Sequence, residues 1–289
     1  MQSAIFEHVD QLLRSVAADL VLPKFRALSA VEILEKEAGE VVSVVDHAVE
    51  ARASKFLAAI LPGSRVYGEE STGGAKLGFG ELGSGDVWLI DPLDGTRNFV
   101  AGVSPFSIMI ALLRDGEPVA SWMFDPLESV MAVAEHGAGA FLGGRRVEIP
   151  QSSPGITGLR GAILTGFMPP EERQTVLERS VHLAEVLPGL MCAGAEYPKL
   201  VIGAMHFALY WRSLPWDHAP GALFLREAGG HIARIDGSPY KVWDGRSGLL
   251  AAGNAAIWND AQRALFTDTA AIEIAASRQS WTNFRLSRP

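Results

Sequence analysis

Residues 86–99 read Asp-Val-Trp-Leu-Ile-Asp-Pro-Leu-Asp-Gly-Thr-Arg-Asn-Phe, DVWLIDPLDGTRNF. The run over 86–91 predicts a strand, and the Pro92-Leu93-Asp94-Gly95-Thr96 segment that follows predicts its abrupt end. Asp91 and Asp94 therefore leave the C-terminal end of the strand three residues apart across a turn, which can aim both carboxylates into one cleft while the strand holds their backbone. Two anions so close repel unless a cation lies between them. Hard oxygen ligands without His or Cys suit Mg²⁺ or Mn²⁺ better than Zn²⁺. Gly95 removes a side chain where backbone N–H groups can approach an oxyanion, and Thr96 adds a hydroxyl at a candidate helix start, which together make a phosphate cradle.

Upstream of this stretch, the periodicity predicts an amphipathic helix through Ile5, Val9, Leu12, Leu13, Val16 and Leu20, stopped at Pro23. A second helix is predicted over 46–60, led by Asp46 and ended by Leu61-Pro62-Gly63, and a short strand over 65–67 leads into Gly68-Glu69-Glu70. Residues 71–85 are Gly-rich without a period and predict a mobile surface loop. Downstream, apolar runs over 104–114, 117–124 and 129–135, separated by turn sequences, predict an antiparallel meander. Gly and Pro accumulate over 137–155 as a hairpin and linker or a domain junction. The boundary is placed near 150, dividing an N-terminal α+β region (1–150) from a C-terminal α/β region (151–289). The second half predicts strand 160–166, helix 171–187, strand 189–192, helix 195–205, strand 207–211, helix 217–228, strands 231–235 and 248–252, and helix 255–266, the alternation of layered α/β packing. The polar tail after Ile274 is expected to order only through a partner.

Composition narrows the function. The 289 residues are 48% hydrophobic and 20% charged, enough for an extensive core. The 25 Lys and Arg against 33 Asp and Glu give a formal charge of -8, which disfavours nucleic acid as a main partner. An anionic substrate then needs a local positive centre, and bound metal ions supply one. Cys192 is the sole cysteine, so no internal disulfide or thiolate zinc site can form, which fits a cytoplasmic setting. No secretion signal or membrane-spanning run is evident.

The acids that stand at breaks in secondary structure are Asp46, Glu69-Glu70, Asp91, Asp94 and Asp217. Each also has a structural reading. Asp46 and Asp217 suit helix N-caps, Glu69-Glu70 a solvated turn, and Asp94-Gly95 a common turn pair. Their combination is what favours a metal-assisted site.

These residues carry a resemblance. Asp46, then Gly68-Glu69-Glu70, then WLIDPLDGTRNF at 88–99, then WDHAPG at 216–221 and REAGG at 226–230 resemble, in order and spacing over roughly residues 5–265, the inositol monophosphatase family of lithium-sensitive, magnesium-dependent phosphatases. The resemblance implies a layered αβαβα sandwich shared with fructose-1,6-bisphosphatase, assembled as a homodimer. It further implies that Glu69, Asp91 and the Leu93 carbonyl hold one Mg²⁺, that Asp91, Asp94 and Asp217 hold a second, and that a third, weaker site lies near Glu69. Water would attack directly, oriented and deprotonated with help from Glu69 and Thr96, with Asp46 in support.

Substrate choice is where the sequence departs from the pattern. A Glu common before the WD motif in inositol-phosphate enzymes is missing, and Trp211 and Arg212 stand in that neighbourhood. The family's substrate-contacting segment resembles Gly194-Ala195-Glu196, with Glu196 where Ala is usual. Glu196 either takes over hydroxyl recognition or pairs with Arg212. Asp94 and Asp217 would also face substrate. An inositol monophosphate or related sugar or polyol phosphate is expected, with histidinol phosphate, fructose-1,6-bisphosphate and 3′,5′-bisphosphate nucleotides as alternatives. His206 and His218 read as structural. A catalytically silent metal-binding regulator is the reading from another class, and loss of a ligand or of Thr96 would be its mark.

Overall fold

The computed structural model describes residues 2–37, 40–72 and 79–267. The tail expectation and the middle of the predicted 71–85 loop fall outside them. The helices are α1 (Gln2–Val16), α2 (Val44–Ile60), α3 (Glu69–Thr72), α4 (Thr96–Val100), α5 (Pro170–Arg179), α6 (Ala193–Val201), α7 (Pro215–Glu227) and α8 (Ala255–Phe266). The strands of the first half are β1 (Ile33–Glu37), β2 (Glu40–Ser43), β3 (Arg65–Gly68), β4 (Asp86–Asp94), β5 (Ser107–Arg114), β6 (Glu117–Asp125), β7 (Val130–Glu135), β8 (Gly139–Leu142) and β9 (Arg145–Val147). Those of the second half are β10 (Arg160–Leu164), β11 (Glu185–Leu187), β12 (Phe207–Tyr210), β13 (His231–Arg234) and β14 (Leu249–Ala252).

Strand β4 sits in a seven-stranded sheet of order β3-β4-β5-β6-β7-β8-β9, parallel to β3 and otherwise antiparallel from neighbour to neighbour. Both faces of the sheet are covered, which explains why β4 and β5 are continuously apolar rather than alternating. Trp88, Ile90, Ile108 and Ile110 pack with Val9, Leu13, Val49 and Leu57 of α1 and α2. Val87, Leu89, Met109 and Ala111, one residue out of phase, pack with Tyr197 and Leu200 of α6 and Ala219, Ala222 and Leu223 of α7. Helix α7 is buried nearly all round because a second sheet covers it from the other side.

That second sheet has five strands in the order β11-β10-β12-β14-β13. Ala208 and Tyr210 of β12 face α6 and α7, while Phe207 and Leu209 face Val176 of α5 and Trp258, Ala261 and Leu265 of α8. The layers therefore run helix, sheet, helix, sheet, helix, as expected. Among the described residues no helix is long and apolar enough to cross a membrane.

Three expectations for the second half need correction. The helix expected over 171–187 ends at Arg179, where the Ser180 hydroxyl donates to Leu177 O, and residues 185–187 instead form β11 alongside β10. The strand expected over 189–192 is a loop, because Leu190 N–H donates to the Glu196 side chain and Met191 takes a left-handed φ of 55°. The helix expected over 195–205 spans Ala193–Val201, and the chain turns away at Gly203 with φ 75°. The β1–β2 hairpin was not foreseen.

Candidate active site

A cavity of about 580 Å³ lies where the ends of β4, β10 and β12 meet the starts of α6 and α7. Glu69, Asp91, Leu93, Asp94, Gly95, Thr96, Glu196, Arg212 and Asp217 all line it. Ligand sites gather at such strand ends, where side chains project from fixed backbone into a crevice.

Asp91 is 2% exposed, and its Oδ1 accepts from Leu93 N–H at 3.1 Å. Burial, and then the charges of Glu69, Asp94, Asp217 and Asp46, push its carboxyl well above the usual carboxylate range. Asp94 follows it on the strand. Its Oδ2 accepts from Gly194 N–H at 2.6 Å and lies 3.2 Å from both Cys192 Sγ and Ser107 Oγ. Burial raises this carboxyl too, against those donors. Cys192 is buried, and burial and the Asp94 charge raise its thiol well above its ordinary value.

Gly95 adopts φ +85°, and a Cβ there would come within 3.0 Å of Pro105 O and 3.2 Å of Cys192 Cβ. Only glycine satisfies both the left-handed backbone and the close approach. The next residue, Thr96, has one hydroxyl proton between two acceptors, Leu93 O at 2.8 Å and Asp46 Oδ1 at 3.2 Å. Asp46 is not the N-cap of α2. Ser43 is, and Asp46 Oδ2 closes the capping box by accepting from Ser43 N–H and Oγ at 2.8 and 2.6 Å, so Asp46 joins the helix start to Thr96. Asp217 likewise stands in the first turn of α7 rather than at its cap, with Pro215 at the N-terminus. Pro220 falls in the second turn of the helix and removes one intrahelical N–H there.

The sequence reading missed two groups. Cys192 and Ser107 flank Asp94 through space. Glu50, 5% exposed on α2, grips the backbone after Glu69, accepting from Glu70 N–H through Oε2 at 2.7 Å and from Ser71 N–H through Oε1 at 2.8 Å. A Cβ at Gly68 would lie 2.1 Å from Glu50 Cδ, so this glycine is what admits the carboxylate.

Of the substrate-side candidates, Gly194 contributes its N–H to Asp94, and Ala195 follows it in the first turn of α6. Glu196 is buried, with Oε1 accepting from Leu190 N–H at 2.8 Å and the Tyr210 hydroxyl beside its carboxyl, and burial pushes that carboxyl up to about 7. A group whose pKa rises on folding stabilises the fold less as pH climbs from its unfolded value, near 4.5, through 7. Glu196→Gln is therefore expected to flatten the fall in melting temperature between pH 5 and 8, removing a penalty of about 3 kcal/mol. An unchanged pH–Tm slope would show the carboxyl to be ordinary. Arg212 lies over the Phe167 ring with its Cζ 3.9 Å from the centroid. His218 Nδ1 lies 3.0 Å from the Tyr197 hydroxyl, and burial pushes this imidazole down to about 3, so it stays neutral at working pH. His206 Nδ1 accepts from Arg160 N–H.

Residues 2–272 match the model of the inositol monophosphatase family. The chain belongs to that family of phosphatases. A Nus factor SuhB of Pseudomonas aeruginosa is 33% identical over 82% of this chain and 87% of that protein. An inositol-1-monophosphatase of Caulobacter vibrioides is 32% identical over 79% of this chain and 88% of its own length. A crystal structure of an IMPase/NADP phosphatase complexed with Mg²⁺ and phosphate superposes with a TM-score of 0.75 at 20% identity, covering 92% of this chain and 97% of that one, which confirms the family's layered fold. Among the described residues no three His, Cys, Asp or Glu side chains are arranged as a ready-made metal cage. Asp91 and Asp94 each spend an oxygen on a backbone N–H instead.

Proposed function

We propose that this family member hydrolyses a small phosphate monoester, an inositol monophosphate or a related sugar or polyol phosphate, at Mg²⁺ ions held in the cavity. The observation that carries this is Asp91, which is buried and raised by the charges of Glu69, Asp94 and Asp217 in the cavity that Gly95 and Thr96 also line. Such a repulsive cluster is costly unless divalent cations neutralise it. The donor set fits a hard cation, since it consists of carboxylates and a carbonyl, and the neighbouring Cys192 thiol is kept protonated. A carboxylate offers about four lone-pair directions, so the bonds to Leu93 and Gly194 N–H are compatible with coordination.

Glu69, Asp91 and the Leu93 carbonyl would hold one ion, and Asp91, Asp94 and Asp217 a second. A third near Glu69 and substitution by Mn²⁺ belong to the same proposal. When bound, the metal supplies charge neutralisation at the phosphoryl oxygens and a more acidic water. The chain's own part is positional. Asp46 and the Leu93 carbonyl fix the Thr96 hydroxyl, Thr96 orients the attacking water, and Glu69 takes up its proton. Gly95 leaves room for the phosphate, while Asp94, Gly194, Ala195, Glu196, Arg212 and Asp217 border the leaving group.

The test is phosphate release from a panel of inositol, sugar, histidinol, fructose-1,6-bis- and nucleotide phosphates, with Mg²⁺, with Mn²⁺ and with chelator. Release that requires the divalent ion and falls on adding Li⁺ is expected. Metal-independent turnover would remove the reading, and absence of turnover with every ester would favour the silent regulator. Assembly as a homodimer is part of the proposal and is read by sedimentation.

A further inference from the structure

The short connection between β12 and α7, residues 211–214, lies outside helix and strand, and two of its residues, Trp211 and Arg212, form part of the cavity wall. Each of its first three residues is tied down from elsewhere in the fold. Trp211 O accepts from Gly248 N–H at 2.8 Å, and the Arg212 carbonyl accepts from the His218 ring. The Ser213 hydroxyl accepts from Arg234 Nη1 at 2.8 Å while donating to Arg246 O at 2.8 Å. This third tie is chemically unlike the others. Arg234 ends β13 and is 1% exposed, the one lysine or arginine among the described residues that is buried. The edge of its guanidinium formed by Nε and Nη2 donates to both oxygens of Asp244, and its Cζ lies 4.9 Å from the centroid of the Tyr240 ring. Burying such a pair is expensive, and apolar side chains of similar volume often stabilise a fold as well or better. The pair is therefore weak evidence of a stabilising role. What apolar groups could not supply is the remaining edge of the guanidinium, which reaches across to Ser213. None of Ser213, Arg234, Asp244 and Arg246 lines the cavity.

We propose that Arg234 is a positioning residue for the substrate: through the Ser213 hydroxyl it holds the 211–214 segment so that Trp211 and Arg212 present a fixed wall to the leaving group. This rests on the hydrolase reading above and assigns part of its leaving-group recognition to a side chain outside the cavity. Asp217 follows soon after Ser213, but its helix is set by Trp216, Ala219 and Ala222 in the core, so the metal side of the cavity does not depend on this tie.

The experiment uses the full chain with Mg²⁺ and the ester of the panel above that has the highest kcat/KM, with inorganic phosphate as an inhibitor that has no leaving group. Ser213→Ala removes the tie and leaves the pair of Arg234 with Asp244 in place. Arg234→Lys keeps a charge beside Asp244 without the second edge. Each variant should raise KM by about fivefold or more, with kcat, the KI of phosphate and the Mg²⁺ half-saturation within about twofold of wild type. Should Arg234→Lys fail to fold, Ser213→Ala carries the test by itself. An unchanged KM in Ser213→Ala or in folded Arg234→Lys, whatever the melting temperature, overturns the proposal and leaves the hydrolase reading in place. A KM that rises together with the KI of phosphate does the same, since it marks a general loosening of the site. No phosphate release by the wild type from any ester of the panel removes both.

Discussion

Replacing Asp91 with asparagine is expected to lower Mg²⁺-dependent phosphate release by about 10³-fold or more while the protein folds as well as the wild type. Fold and function separate here because the carboxylate is a liability to the fold. Asp91 is buried, and three lining acids besides Asp46 raise its pKa, so ionising it costs folding free energy in the absence of cations. Because its folded pKa lies above its unfolded one, that cost grows as pH rises from about 4 toward the folded value. Asparagine carries no charge, and its Oδ1 can still accept from Leu93 N–H. Without Mg²⁺ the melting temperature of Asp91→Asn should therefore equal or exceed that of wild type, by more at pH 8 than at pH 5. The gain in melting temperature on adding Mg²⁺ should shrink. Asp217→Asn should lose activity in the same way, since Asp217 reaches the same cavity from the first turn of α7. Wild-type turnover by either variant would remove the metal-ligand assignment, whatever the melting curves show.

The parts of this site that sequence reveals are those in which local rules and chemistry coincide. β4 is legible because both of its faces are buried, so its apolar run needs no partner to be recognised, and Asp91 and Asp94 stand out because they interrupt it. Asp46 is visible at a helix start, although its capping-box position shows only when Ser43 is seen to lead the helix. What the sequence hides depends on contacts through space. Cys192 reads only as an unpaired thiol, yet packing of α6 against β5 sets it beside Asp94, 98 residues earlier. Residues 180–187 read as the end of the helix expected from 171, but Leu159 O accepts from Ala184 and Glu185 N–H and draws the chain into β11. Tertiary hydrogen bonds overrule the local pattern there. Glu50 is hidden most completely, because a Glu within a helical pattern reads as solvated surface.

Glu50→Ala is expected to raise the Mg²⁺ concentration for half-maximal activity by about tenfold or more and to lower kcat, although Glu50 does not line the cavity. Its two oxygens hold Glu70 and Ser71 N–H at 2.7 and 2.8 Å, the first free donors of the short α3 turn that begins at Glu69. Glu50 stands one helical turn after Asp46 on α2, so one helix face anchors both the Thr96 hydroxyl and the backbone that carries Glu69. Removing a charged acceptor leaves two donors without their partner, at about 1–3 kcal/mol each, and lets the turn move. A loosened Glu69 would weaken the proposed first ion before it weakens the fold, because α2 enters the core through Val45, Val49, Ala53 and Leu57 and not through Glu50. Glu50→Gln keeps one acceptor oxygen but turns an amide NH₂ toward the other donor, so it should fall between wild type and alanine. A purely structural Glu50 predicts a different pattern: a lower melting temperature with the Mg²⁺ half-saturation and kcat of the folded fraction unchanged. That pattern would refute the positioning role, and Mg²⁺ titrations of activity alongside melting curves distinguish the two.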